Sequence, residues 1–206
     1  MWIDREGYLF IGAAAAVTLA GAWWLHWSVA IPGGLLLLFL LVFFRDPDRR
    51  VPSGPVIVSP ADGRITAVRP APEPAGEVFL SIFMNPLNVH VNRAPMAGRI
   101  TGYQYFEGSF RPAFEEAAGM ENERNLIVIQ GERHQLRMSQ IAGILARRIV
   151  FRKKIGDTVQ AGERIGMIRF GSRVDLWLPG QSRVVVRTGQ KVKAGNTILA
   201  EINYGN

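Results

Sequence analysis

The sequence predicts a mainly β protein: a barrel-sandwich-like domain with internal repeats and few short helices, preceded by an N-terminal transmembrane helical hairpin. Three observations carry that reading. First, Gly156-Asp-Thr-Val-Gln-Ala-Gly162-Glu-Arg-Ile-Gly-Met-Ile168 returns 33 residues later as Gly189-Gln-Lys-Val-Lys-Ala-Gly195-Asn-Thr-Ile-Leu-Ala-Glu-Ile202, both reading G-x-x-V-x-A-G-x-x-I. Alternating apolar positions with glycines at the corners mark short strands joined by tight turns. Second, Val56-Ile-Val-Ser-Pro-Ala-Asp62-Gly-Arg-Ile-Thr66 has a near copy in Ala94-Pro-Met-Ala-Gly98-Arg-Ile-Thr101, so the front half repeats as well. Third, two apolar runs, 8–27 and 29–44, precede all of this.

The N-terminal 50 residues form the anchor. Tyr8 to Trp27 is long enough to cross a hydrocarbon core of about 30 Å as a helix. Val29 to Phe44 has 16 residues, which at about 1.5 Å each reach about 24 Å, so this run either spans or re-enters. Trp23, Trp24 and Trp27 cluster at the bend, where amphipathic rings favour an interface. The start, Asp4-Arg5-Glu6, lacks the basic flank of a cleaved signal peptide. Arg45, Arg49 and Arg50 follow the second run and place that end, and the domain behind it, on the cytoplasmic face of the cell membrane.

Pro47 and Pro52 stop the helix, and residues 51–206 form the β-rich domain. After Asn85-Pro86, the stretch to Arg93 reads as a strand with Asn88, His90 and Asn92 on one polar face opposite Leu87, Val89 and Val91. Ala113-Phe-Glu-Glu-Ala-Ala after Pro112 reads as a helix start, with carboxylates suited to the N-terminal dipole. A strand is expected over Leu126–Gln130, a hairpin turn with a solvent-facing His134 after it, and a buried strand pair over Met138–Phe151. Arg147, Arg148, Arg152, Lys153 and Lys154 form a basic run that is either a solvated edge or a seat for anionic groups.

Composition narrows the partners. The net charge is +7 and the pI about 10.4, which favours an anionic partner. No nucleic-acid-binding signature is present, so the membrane is the expected one. The chain has no cysteine, hence neither disulfide nor thiolate metal site, and no metal is expected. Between the two C-terminal repeats lies Phe170-Gly171-Ser172-Arg-Val-Asp175. A serine directly after a glycine carries a hydroxyl able to attack the glycine carbonyl if the backbone is held for it. In most chains such a pair is an ordinary turn.

Phe44-Arg-Asp-Pro47, Ser59-Pro-Ala-Asp-Gly63, Asn85-Pro-Leu-Asn-Val-His90-Val-Asn-Arg93, Asn122-Glu-Arg124, Gln140-Ile-Ala-Gly143 and Phe170-Gly-Ser-Arg-Val-Asp175 occur in one order. Together they resemble the short, membrane-anchored form of the phosphatidylserine decarboxylase family, over nearly the whole chain. The repeats also resemble biotinyl- and lipoyl-carrier barrels, so a membrane-tethered carrier or adaptor without catalysis is the alternative. A carrier needs a lysine at the crossover, and none lies between Arg169 and Gly189.

The resemblance implies a proenzyme that cuts itself between Gly171 and Ser172. The Ser172 hydroxyl attacks the Gly171 carbonyl, the resulting ester eliminates, and the dehydroalanine left at 172 hydrolyses to a covalent pyruvoyl group and ammonia. A large chain (1–171) and a small chain (172–206) result. The pyruvoyl ketone is the cofactor, and the substrate is phosphatidylserine or its isoprenoid-ether equivalent. A homo-oligomer is compatible with the resemblance. By match, His90 and Asp62 join Ser172 as catalytic residues, an imidazole oriented by a carboxylate. The long bacterial form has a second histidine where this chain has Arg93. Either His90 therefore serves both cleavage and decarboxylation, or Asp62 and a water handle cleavage. Arg93, with Asn88 and Asn92, is a candidate for holding the substrate phosphate or carboxylate.

Overall fold

The computed structural model describes residues 2–71, 76–115, 117–144, 148–169 and 172–202. By internal contacts it divides into two units, residues up to Asp48 and Arg49 onward.

The first unit is a helical hairpin. Strand β1 (Trp2–Ile3) pairs with β2 (Arg45–Asp46) and ties its two ends together. Between them run α1 (Tyr8–Ala20), a wider helical turn over Gly21–Leu25, and α2 (Trp27–Phe43). The break falls at His26, whose backbone is extended (φ −176°, ψ 158°) and whose Nδ1 accepts the Ser28 N–H at 3.2 Å. The helices approach closely because small residues face each other: a Cβ on Gly21 would lie 2.7 Å from the Ala30 nitrogen, and one on Gly33 would lie 2.9 Å from Thr18 Oγ1. Pro32 sits inside α2 rather than ending it, so the Pro-Gly-Gly run is part of the helix. One helix, Arg5–Trp24, is long and apolar enough to cross a membrane, and Trp27–Phe43 is a shorter apolar helix.

The second unit is the β domain. Its strands, in order, are β3 (Val56–Val58), β4 (Gly63–Pro70), β5 (Val78–Met84), β6 (Val91–Arg93) and β7 (Gly98–Phe106). A short helix, α3 (Ala118–Glu121), precedes β8 (Arg124–Gln130), β9 (Gln135–Ala142), β10 (Ile149–Phe151) and β11 (Thr158–Val159). The last are β12 (Arg164–Ile168), β13 (Ser172–Leu178), β14 (Ser182–Val184), β15 (Lys191–Val192) and β16 (Ile198–Ile202). Eight of them form one curled sheet, β11-β7-β8-β9-β13-β5-β4-β15, flanked by the three-stranded sheets β10-β12-β6 and β14-β16-β3. Alternation supplies the core: Ile127 and Ile129 of β8, Leu136 and Met138 of β9, and Val174 and Leu176 of β13 all turn inward and are fully buried. Each such side chain stabilises the fold by about 1.5–3 kcal/mol.

The strand orders read the same from either end, and the repeats explain why. β15 pairs with β4 (Lys191 opposite Arg64) as β11 pairs with β7 (Thr158 opposite Arg99). The Val58 N–H bonds the Pro95 carbonyl (2.8 Å) and the Arg93 N–H bonds the Pro60 carbonyl (2.9 Å), a reciprocal exchange across a pseudo-twofold axis. Gly162 and Gly195, both at positive φ (75° and 68°), donate to Ala94 and Ser59 in matching positions. The two halves are β3-β4-β5-β13 with β14-β15-β16, and β6-β7-β8-β9 with β10-β11-β12.

Three local expectations are corrected. The helix expected from Ala113 is a turn, and α3 starts only at Ala118, because side chains occupy the backbone groups before it: Asn122 takes the Arg111 N–H (2.9 Å) and C=O (2.8 Å), and Arg173 Nη1 takes the Glu115 carbonyl (3.0 Å). The segment expected as a strand pair over Met138–Phe151 holds two strands of different sheets: β9 lies between β8 and β13, while β10 pairs with β12. His134 is half-buried, its carbonyl accepting the Gly131 N–H at 2.8 Å.

Candidate active site

Ser172 opens β13 in the middle of the curled sheet, opposite Met84 at the end of β5 and Ala142 at the end of β9. Period-two alternation turns it to the same side as Val174 and Leu176, so its side chain is fully buried. Its Oγ donates to Met84 Sδ at 3.3 Å. A thioether is a weak acceptor, so the hydroxyl is desolvated yet only lightly held. Phe170, Gly171 and Arg147, named above on sequence grounds, lie outside the described residues.

Asn92 reaches the same sulfur from β6, with Nδ2 3.8 Å from Met84 Sδ. Its amide orientation follows from its neighbours. Gln140 Nε2 donates to Asn92 Oδ1 (2.8 Å), Asn125 Nδ2 donates to Gln140 Oε1 (3.4 Å), and the Tyr103 hydroxyl donates to Asn125 Oδ1 (3.1 Å). Every donor in this chain points from the half-exposed Tyr103 towards Ser172. The last N–H, on Asn92, is aimed at the sulfur that also takes the Ser172 hydroxyl, and the three amides are buried.

His90 is buried too, immediately before β6, and its carbonyl accepts the Ile168 N–H at 3.4 Å. Its Nδ1 lies 2.9 Å from the Asn88 carbonyl. A carbonyl only accepts, so a neutral ring carries its proton on Nδ1 and its lone pair on Nε2, the form that serves as a base. The expected strand face with Asn88, His90 and Asn92 is not formed. Asn85 and Asn88 instead close a turn, Asn88 Oδ1 taking the Asn85 N–H and Asn85 Oδ1 taking the Leu87 N–H, both at 2.9 Å. The strand begins only at Val91.

Asp62 is not the group that orients His90. Its carboxylate takes Arg49 Nη2 at 2.9 Å on both oxygens and the Ala194 N–H at 2.8 Å. Both side chains of that ion pair are about nine-tenths buried. Asp62 still belongs to the Ser172 corner. It precedes Gly63 of β4, the strand beyond β5, and a Cβ on Gly63 would lie 2.3 Å from the Phe83 carbonyl, one residue before Met84. The pseudo-twofold image of Asp62, Ala194 and Ser172 is Ala97, Ala161 and His134, and those three line a single cavity of about 220 Å³.

Arg93 is buried and its Nη1 donates to the Gly162 carbonyl at 3.0 Å, so its guanidinium supports a repeat corner rather than lying open to a substrate. On the other side of β13, Arg173 grips Asp175 through two bonds (2.6 and 2.8 Å). Burial pushes the Asp175 carboxyl up, against the pull of Arg173. Lys153 of the basic run pairs with Glu163. Among the described residues no cluster of His, Asp and Glu has the makings of a metal site.

Sequence reading missed Met84, Arg49, Asn125 and Tyr103 as parts of the site, and Gln140 as more than a motif letter. A signal was present for two of them. Gln140 falls in the inward row Leu136, Met138, Gln140, Ala142, and Asn125 in the row with Ile127 and Ile129, where a polar residue breaks an apolar alternation.

The family model for phosphatidylserine decarboxylase matches residues 36–200. A phosphatidylserine decarboxylase proenzyme of Solibacter usitatus is 48% identical over 200 residues, 97% of this chain and 97% of that protein. Proteins of the same name from Cupriavidus pinatubonensis (44% over 212 residues, 98% and 95%) and Symbiobacterium thermophilum (42% over 206 residues, 97% and 95%) are similar throughout as well.

Proposed function

Since this chain belongs to the phosphatidylserine decarboxylase family of carboxy-lyases, we propose that it decarboxylates the phosphatidylserine headgroup with a pyruvoyl group made from its own Ser172. The observation that carries this reading is the buried Ser172 hydroxyl, lightly held by Met84 at the head of a central strand, with an Asn92 N–H directed at the same point. The residues present suit a small carbonyl at position 172: the side chain there is fully buried, its contact is an uncharged thioether, and the Asn92 amide on that same sulfur is an N–H donor for an oxygen. When present, such a group supplies an electron sink for the pair left by departing carbon dioxide.

The remaining roles fall to the chain's own side chains. In self-cleavage the Ser172 Oγ attacks the Gly171 carbonyl and gives up its proton, and His90 Nε2 is the base, held in the right tautomer by the Asn88 carbonyl. The same imidazole returns a proton to the product carbon. Asn92 Nδ2, now on the Met84 sulfur, would donate to a carbonyl oxygen at position 172, and Gln140 and Asn125 hold the amide in that orientation. Asp62 positions Arg49 and the Ala194 corner in the joined chain, with a direct acid–base role only if cleavage releases it from Arg49. In this reading Arg5–Trp24 and the shorter helix after it are the membrane anchor, and the arginines that follow α2 favour the cytoplasmic face for the β domain.

The intact mass of the denatured protein tests this, beside a Ser172→Ala control. Two chains of 171 and 35 residues, the smaller lacking the mass of an N-terminal serine, are expected from the unsubstituted protein, and one chain of 206 residues from the control. A folded protein that stays uncut in both samples overturns the self-cleavage and with it the cofactor.

A further inference from the structure

The strand register places several connections on one rim of the curled sheet. Ser172 lies opposite Met84 and Ala142, Ile141 lies opposite Arg124, and Arg124 lies opposite Phe106. The segments following Met84 and Ala142, and the segment joining Phe106 to Arg124, therefore all leave the rim at which Ser172 sits. Each carries a large apolar side chain with most of its surface exposed: Leu87 64%, Met120 75%, Ile144 54%, and Phe114 67%, whose ring also meets Phe83 edge-on at 6.2 Å. At the opposite rim, the turns Gly131–His134 and Pro179–Gln181 carry no exposed large hydrophobic side chain, while the 154–157 turn, hydrogen-bonded to Ile100, exposes Ile155.

We propose that the Ser172 rim is a bilayer-docking surface, with Leu87, Phe114 and Ile144 entering the headgroup layer of the membrane that holds the substrate. The inference rests on the lipid-decarboxylase reading. A phospholipid keeps its acyl chains in the hydrocarbon, and the headgroup layer beyond it is only roughly 5–8 Å deep on each side. Residue 172 must therefore come within about one headgroup layer of the acyl boundary, and loops projecting past it must enter that layer. Exposed apolar tips are what such loops require. The charges at this rim are mixed: the 107–123 connection carries Glu107, Glu115, Glu116, Glu121 and Glu123, with Arg111 paired to Glu121, and the segment after Ala142 carries Arg147 and Arg148. Docking by this rim therefore depends on apolar insertion and proceeds on zwitterionic lipid.

The absence of cysteine makes the test direct. Single variants Leu87→Cys, Phe114→Cys, Ile144→Cys and, on the opposite rim, Glu132→Cys are labelled with bimane in the full-length protein. Each is reconstituted in phosphatidylcholine vesicles with and without brominated lipid. Labels at 87, 114 and 144 are expected to be blue-shifted and quenched severalfold more than the label at 132. Equal quenching at all four, or quenching that needs anionic lipid, overturns the proposal. In a second arm, the Leu87→Ser/Phe114→Ser/Ile144→Ser variant is expected to lose about tenfold in turnover of vesicular phosphatidylserine relative to soluble glycerophosphoserine, whereas equal loss on both overturns it. If the unsubstituted protein decarboxylates neither compound, the enzyme reading fails, and the label positions still decide the docking.

Discussion

The two halves of the β domain share one frame and differ in polarity along one buried column of residues. In one half the column is Tyr103, Asn125, Gln140 and Asn92, hydrogen-bonded end to end and leading to Ser172. The register maps its pseudo-twofold image onto Val68, Val78, Leu178 and Ile57, all apolar and all packed in or against the core. The image column ends at the Gly131–His134 turn, and the corner there has Ala97 where the Ser172 corner has Asp62. The frame thus folds well with an apolar column. Retaining four polar residues in its twin brings no evident gain in packing, and buried polar networks stabilise only when every member is satisfied. The difference teaches which parts serve the fold and which serve position 172.

Converting the site half into its image one position at a time breaks the comparison at known places. The largest effect is expected from Asp62→Ala, which copies Ala97. It leaves Arg49 buried without its carboxylate and the Ala194 N–H without an acceptor, at a cost of about 3–5 kcal/mol. Urea denaturation of the β domain measures it. Adding Arg49→Leu is expected to recover much of that loss without restoring self-cleavage, whereas restored cleavage would make Asp62 purely structural. Next comes Gln140→Leu, which copies Leu178 and strands Asn92 Oδ1 and Asn125 Nδ2 in the core. About 1–3 kcal/mol should be lost, together with slower appearance of the two chains. The full exchange, Tyr103→Val/Asn125→Val/Gln140→Leu/Asn92→Ile, removes both partners of every bond within the column and is expected within about 1 kcal/mol of the parent. Cleavage should still fail. A stable, fully cleaving quadruple variant would show that the column is dispensable to position 172.

How much of this was legible in the sequence follows from the same comparison. The frame was legible because it repeats: Val159 and Val192, Gly162 and Gly195, Gly98 and Gly63 recur at fixed offsets, and strand pairing follows the offsets. The motif residues Ser172 and His90 were legible as chemistry, and the structure buries both. Their partners were not. Asp62 and His90 read as a carboxylate orienting an imidazole, but Asn88 offers a carbonyl two residues from the ring, and Arg49, 13 residues from Asp62, claims the carboxylate. Partner choice depends on which strands become neighbours, and spacing along one strand does not contain it. The Asn85–Asn88 turn was missed because period-two polarity looks alike in a strand and in a turn whose side chains cap their own backbone.

The smallest expected difference lies at Glu163, whose image is Asn196. Partial burial raises the Glu163 carboxyl, but bonds from Lys153 and the Gln160 N–H, together with the Lys153 charge, outweigh it, so it titrates below its ordinary range. Asn196 makes no ion pair and instead donates to the Arg50 carbonyl at 3.0 Å. Glu163→Asn should therefore cost only about 0.2–1 kcal/mol at neutral pH, since the pair is partly open to water. The sign with pH is fixed by the depressed value. A carboxyl that binds its proton less readily in the folded state contributes stability above its unfolded pKa and loses it as pH falls through the folded one. The gap between parent and variant should accordingly be full near pH 7 and close on acidification below the ordinary carboxylate range, as read by urea denaturation at each pH. A gap that persists unchanged in acid would mean that Glu163 acts through packing, and that the two corners differ in shape rather than in charge.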